Sequence, residues 1–204
     1  MSDYSKIELD VSSFFTKYSD SASISRTYFG IQPMYIPSTN KLSIEAGAKV
    51  TYDNDTISDR SKVHFYPQLR VGYQVSDNIS AFVGLTGDMV RNTFRSTVLE
   101  NPFISSNSVL LNSNKAIEFF AGSEGVLVEK LTYSVRVGYQ NFKNFNFYIV
   151  DSLSAPTYSL VYDEDNTTIL TFQTEFEYQK GEHFSIGTNL EVNSYNLSNF
   201  DHAF

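Results

Sequence analysis

The sequence predicts an all-β chain, an antiparallel up-and-down meander of about nine membrane-length strands. Three observations carry this expectation. Apolar and polar residues alternate with a period of two along most of the chain, as they do on a strand whose two faces meet different surroundings. The alternating stretches run to about ten residues, close to what a tilted strand needs to cross hydrocarbon. The segments between them alternate short and long, which separates a trimmed rim from an elaborated one. The fold class is part or whole of a transmembrane β-barrel, with residues 1–204 as a single barrel or partial-barrel domain.

Taken in chain order, less regular strands fit residues 6–18 and 27–36. "KLSIEAGAKVTY" follows, with Leu42, Ile44, Ala46, Ala48, Val50 and Tyr52 on one face and Lys41, Ser43, Glu45, Gly47, Lys49 and Thr51 on the other. In "VHFYPQLRVGYQV", Val63, Phe65, Leu69, Val71, Tyr73 and Val75 oppose His64, Gln68, Arg70 and Gln74. Two further irregular strands fit 79–91 and 116–128. "LTYSVRVGYQ" sets Leu131, Tyr133, Val135, Val137 and Tyr139 against Thr132, Ser134, Arg136 and Gln140. "TILTFQTEFEYQ" does the same with Leu170, Phe172, Phe176 and Tyr178 against Thr171, Gln173, Glu175 and Glu177. "FSIGTNLEVN" closes the series with Phe184, Ile186, Leu190 and Val192 on its apolar face. No helix is expected anywhere.

The short connections are 37–40, 76–78, a turn near Glu129-Lys130, and 180–183. The long ones are 19–26, 53–62, 92–115 and 141–167, the last two with room for small hairpins such as "FNFYIV" and "YSLVY". Facing charges then choose a register. Pairing Val75 with Ile79 brings Val71 to Val83 and Leu69 to Leu85, and leaves Arg70 inside beside Gly84. Pairing Leu127 with Tyr133 puts Glu124 opposite Arg136, both inside, whereas a one-residue slip would turn Glu124 to lipid at a cost of roughly a few kcal/mol. Nine strands is an odd number, and complete bacterial barrels of this class are even, so the expectation is a piece of a larger barrel whose partner strands are missing.

Composition narrows the function. A net charge of −8 argues against a nucleic-acid partner, which needs a concentrated basic face. Without cysteine there is no thiolate catalysis and no cysteine-ligated zinc. The 14 tyrosines suit a boundary where one end of the ring is dry and the other wet. No apolar run reaches the length of a transmembrane helix, and a mean hydropathy of −0.24 hides the stripe because every second strand residue is polar. "MSDYSKIELD" shows no signal peptide, which is expected of a mature form, a fragment or a chain that is not exported.

With "RVGYQVSDNIS" and "RVGYQNFKN" on such strands, the chain resembles Gram-negative outer-membrane β-barrels, in particular the barrel part of TonB-dependent-receptor-like proteins. The resemblance implies a receptor or channel for solute uptake in the bacterial outer membrane, with lipid as its surroundings and further strands or subunits as neighbours. The sequence shows no plug domain or coupling segment of that family, so energy-coupled uptake by this chain alone is not expected. The rival expectation is a soluble β-barrel or sandwich that binds an apolar ligand or a protein with the apolar stripe turned inward.

Candidate lumen-lining charges are Glu45, Lys49, Arg70, Glu124, Arg136, Glu175, Glu177 and Glu191, which either tune a polar pore or pair off to satisfy a polar interior. Tyr52, Tyr73, Tyr139 and Tyr178, near strand ends, are candidates for interfacial girdles. The acidic segments 53–59 and 163–168 lack the glycine and terminal glutamate of a calcium loop and are expected to be solvated loop, so no metal or cofactor is expected. No catalytic group is expected either. His64, His183 and His202 have no metal spacing, and Ser123 in "AGSEG" lacks the nucleophile-elbow pattern and sits mid-strand.

Overall fold

The computed structural model describes residues 5–19, 23–37, 41–54, 62–106, 108–150, 157–181 and 184–197. Among the described residues nine strands form one sheet: β1 (Lys6–Ser19), β2 (Ser23–Ile36), β3 (Leu42–Asn54), β4 (Val63–Ser76), β5 (Ile79–Val90), β6 (Ser113–Val128), β7 (Leu131–Val150), β8 (Tyr158–Lys180) and β9 (Phe184–Asn196). They pair antiparallel in strict chain order from β1 to β9. One short helix, α1 (Phe94–Glu100), lies between β5 and β6.

Side chains decide which way the sheet curls. Neighbouring strands are about 4.8 Å apart, so side chains from strands two apart meet only over a concave surface. Such meetings include Lys49 of β3 with Asp88 of β5 at 2.6 Å, Arg70 of β4 with Glu124 of β6 at 3.3 Å, and the Tyr66 hydroxyl of β4 donating to Asn114 of β6 at 2.9 Å. At the long-loop rim, the Arg91 guanidinium lies 3.3 Å from the ring centre of Phe14 on β1, four strands away. Buried Tyr28, Tyr66 and Met89 cluster on this side. The polar face is therefore the inner one. The apolar stripe faces outward and is open, from Ile7 (79% exposed) and Phe15 (80%) on β1 through Val83 and Phe119 to Leu190 on β9.

The register expected for β4 and β5 holds through Leu69–Leu85, Arg70–Gly84 and Val71–Val83, with a bulge at the turn that gives Ile79 to Ser76 instead of Val75. For β6 and β7 the expectation needs correction. Glu124 pairs with Ser134, and Arg136 faces Gly122. A two-residue turn, with Lys130 at φ 75, brings Val128 to Leu131, and a bulge between Val126 and Val128 then fixes the ladder two residues from the expected one. A shift of two preserves facing, so both charges stay inside.

The long-loop rim is more ordered than its composition suggests. The loop expected at 19–26 is shortened by strand, since Ser19 pairs with Ser23. The loop expected at 141–167 is a continuation of β7 and β8 as one long hairpin, in which Val150 pairs with Tyr158. The segment 163–168 lies within β8, and Asp163 and Thr167 are fully buried there, which corrects the solvated-loop expectation. Asp163 accepts from the Thr167 hydroxyl at 2.8 Å and from the Asp165 amide. The helix α1 was not expected; Thr93 caps it, accepting from the Ser96 amide at 3.1 Å, while Ser96 takes the Thr93 amide. The turns at 37–40 and 180–183, the loop at 53–62, and His183 and His202 fall wholly or largely outside the described residues.

Candidate functional site: the inner wall and its rim

Two arginines anchor the inner wall, and each rests on a phenylalanine. The Arg70 guanidinium lies 4.6 Å from the Phe82 ring centre, and that of Arg136 lies 4.2 Å from Phe120. Both rings lean on glycines directly across the ladder, Phe82 on Gly122 and Phe120 on Gly84. A side chain at either glycine would collide: a Cβ at Gly122 would meet Phe82 Cζ at 2.5 Å, and one at Gly84 would meet the Leu69 carbonyl oxygen at 2.7 Å. Rings laid over facing glycines cover backbone that would otherwise be bare, and they hold the guanidinium planes at a set depth.

Carboxylates complete the pairs. Arg70 bonds Glu124 at 3.3 Å, both partners partly solvated. Arg136 bonds Glu118, whose side chain is only 5% exposed and also takes Lys115 Nζ at 2.6 Å. Arg70, Phe82, Phe120, Glu124, Arg136 and Glu191 share the wall of one open hollow of about 420 Å³, to which Glu175 also contributes. Lys49 lies nearer the long-loop rim with Asp88. Glu45 stands directly across the ladder from Arg70. Glu177 accepts from the Ser185 hydroxyl at 2.9 Å, and Glu191 accepts from Gln173 at 2.9 Å and Asn193 at 2.7 Å. Sequence reasoning missed Glu118, Phe82 and Phe120. The signal available for the rings was Phe opposite Gly on consecutive strands, which becomes visible only once the register is set.

The four tyrosines lie on the outer face at two levels. Tyr73 pairs with Leu42, at the short-turn end of β3, and Tyr178 pairs with Leu131, at the same end of β7. Tyr52 and Tyr139 stand about ten and about eight residues further along those strands, roughly 33 and 26 Å at 3.3 Å per residue. A strand tilt of about 40° reduces this to roughly 20–25 Å, the height of the apolar band on a membrane barrel.

At the other end, residues 92–112 fold down onto the extension of β7 and β8. Phe103 and Ser105 exchange backbone bonds with Tyr158, at 2.9 and 2.7 Å. Ile104, Leu110 and Leu160 form a small core against Val98, Tyr148 and Tyr162. A polar seam ties it down: the Asn112 amide donates to Asp53 at 2.7 Å, the Asn144 amide to the Asn112 carbonyl at 2.8 Å, and the Leu111 N–H to the Tyr162 hydroxyl at 2.8 Å. Asn144 occupies a bulge at φ 61, a left-handed conformation that asparagine tolerates better than most residues. Burial, and then the bond and charge of Glu100, push the Tyr148 phenol above its ordinary value.

An in-order antiparallel meander with an open apolar outer face and an ion-paired inner one is barrel-type wall. Among the described residues its edges, β1 and β9, do not pair with each other. Among solved structures the chain is similar to the pyoverdine outer membrane receptor FpvA from Pseudomonas aeruginosa PAO1, bound to pyoverdine, with a TM-score of 0.53 and 12% identity. The likeness covers 89% of this chain and 27% of that one, so the chain spans little more than a quarter of the receptor's length. At that identity the likeness is one of fold. No family model and no curated protein matches the sequence.

Proposed function

We propose that the chain forms part of the wall of an outer-membrane β-barrel serving as a receptor or channel for solute uptake, with the rim at 92–112 and 141–167 as its outer contact surface. One observation carries the reading: the large apolar side chains point away from the sheet's own hollow and remain exposed, while its charges point in and pair. A protein in water rarely leaves an apolar face of more than a few hundred Å² uncovered, whereas a barrel in lipid requires one. The two levels of tyrosine support the same reading as interfacial girdles. A soluble barrel or sandwich would need the stripe inside, the reverse of this arrangement.

The wall is proposed to be non-catalytic. Ser123 Oγ is held by the Ser80 carbonyl at 3.0 Å and the Tyr133 hydroxyl at 2.8 Å, and the His64 ring stacks on Tyr66. The test is physical state. The chain should float with lipid vesicles, resist alkaline extraction and aggregate when detergent is removed. A folded, detergent-free monomer would overturn the reading.

A further inference from the structure

We infer that the wall is closed by an odd number of further membrane strands, the one beside β9 carrying lysine or arginine on its inner face. It is not closed by β1 meeting β9, in one chain or between two copies that face the same way across the membrane. The inference rests on the membrane reading above.

Direction sets the parity. All eight pairings from β1 to β9 are antiparallel, so the two edge strands run the same way. Joining β1 directly to β9, within one chain or between two copies that face the same way, would make a parallel seam in a sheet otherwise antiparallel throughout. Antiparallel pairing at both edges requires an inserted set that begins and ends with strands running the other way, which is an odd number. Nine plus an odd number is even, as complete bacterial barrels of this class are. Open edges are costly in hydrocarbon, where unpaired groups have no water to bond, so the inserted chain should take up a strand that fits.

Charge sets the neighbour. The inner face of β1 presents Glu8 and Asp10 beside Lys6, which is already paired with Glu8. The inner faces of β8 and β9 present Glu175, Glu177 and Glu191. A β1–β9 seam would bring these carboxylates toward one another, and like charges facing across a ladder destabilise it. A strand beside β9 meets Asn189, Glu191 and Asn193 first, with Glu175 and Glu177 one strand behind. Basic side chains answer that surface. The solved receptor whose fold this chain shares is also far longer, which leaves room for such strands.

The chain has no cysteine, so introduced pairs report without background. The full chain, carrying Leu9→Cys or Val11→Cys on β1 with Ile186→Cys or Leu190→Cys on β9, would be inserted into lipid vesicles and oxidised. No β1–β9 disulfide, within or between chains, should form above the level of a Val83→Cys/Val192→Cys control. A synthetic eleven-residue strand, alternating leucine with three inner lysines, should then slow hydrogen exchange along β9 by about tenfold more than its glutamate counterpart. Lysines facing Glu191 directly, with Glu175 and Glu177 one strand behind, need contribute only about 1.4 kcal/mol in total to reach that factor. A label at the peptide's amino end should lie near the Asn196 end of β9. A β1–β9 disulfide in one chain, one between two chains, equal protection by both peptides, or parallel alignment would each overturn the inference. A chain that stays folded and monomeric in buffer would instead remove the membrane reading, and this inference with it.

Discussion

Ser134 and Val135 are adjacent on β7 and differ in what they face, which makes them a controlled test of the wall's polarity. Ser134 points inward between its direct partners Glu124 and Glu175. Val135 points outward between Ser123 and Thr174, near the middle of the part of β7 that lies between the two tyrosine levels. On the membrane reading proposed above, arginine at 135 would place a guanidinium against lipid, at a cost of roughly 2–4 kcal/mol near the midplane. That corresponds to a loss of roughly 30- to 1,000-fold in the equilibrium between inserted and uninserted chain. Arginine at 134 enters a hollow already lined by carboxylates, where a facing opposite charge contributes up to about 1 kcal/mol. The β-preference lost with valine is within about 1 kcal/mol, so most of the difference reports facing. The assay is the fraction of each variant that floats with vesicles and survives alkaline extraction. Val135→Arg should fall to a small remnant while Ser134→Arg matches the parent. Equal tolerance, or the reverse order, would refute the assignment of faces.

Other substitutions probe the inner wall and the rim. Gly84→Val should destabilise the inserted chain by about 1–3 kcal/mol, because the added carbon meets the Leu69 carbonyl oxygen at 2.7 Å as well as the Phe120 ring. Gly138→Ala, where the nearest atom is Glu118 Oε1 at 3.5 Å, should be close to neutral, and urea titration of the two variants checks both expectations. Arg136→Met leaves the buried Glu118 with Lys115 alone and should cost about 3 kcal/mol, while adding Glu118→Gln should recover most of that loss. Asn144→Ala removes the bond to Asn112 and puts alanine at φ 61, so limited proteolysis within 92–112 should quicken several-fold. Asn144→Gly, which tolerates that backbone angle, should quicken it less.

What could be read from the sequence, and what could not, follows from how uniform each face's surroundings are. The outward face is apolar along most of its height, so Leu69, Val71, Val83 and Leu85 announce themselves by period alone, and their register follows. The inner face has no such uniformity. Arg136 could have paired with Glu124 or Glu118, both inside and both at plausible depth. The choice was made by the two-residue turn at Glu129-Lys130 and the bulge between Val126 and Val128, features whose energies differ by less than a sequence pattern resolves. The rim was misread for a related reason. Asn, Asp and Thr in 141–167 look like loop when counted as polar residues. In the fold, Asn144, Asp163 and Thr167 are buried, with their side chains bonded to backbone and to one another beneath a docked segment. The helix α1 escaped because it is seven residues long and its capping residue at the third helical position is Ser96, where the usual signature has Glu or Gln. Period can locate a residue on a face shared with many like it. It cannot choose among partners when every partner is polar, and on this wall the choice of partner fixes where Arg70 and Arg136 stand.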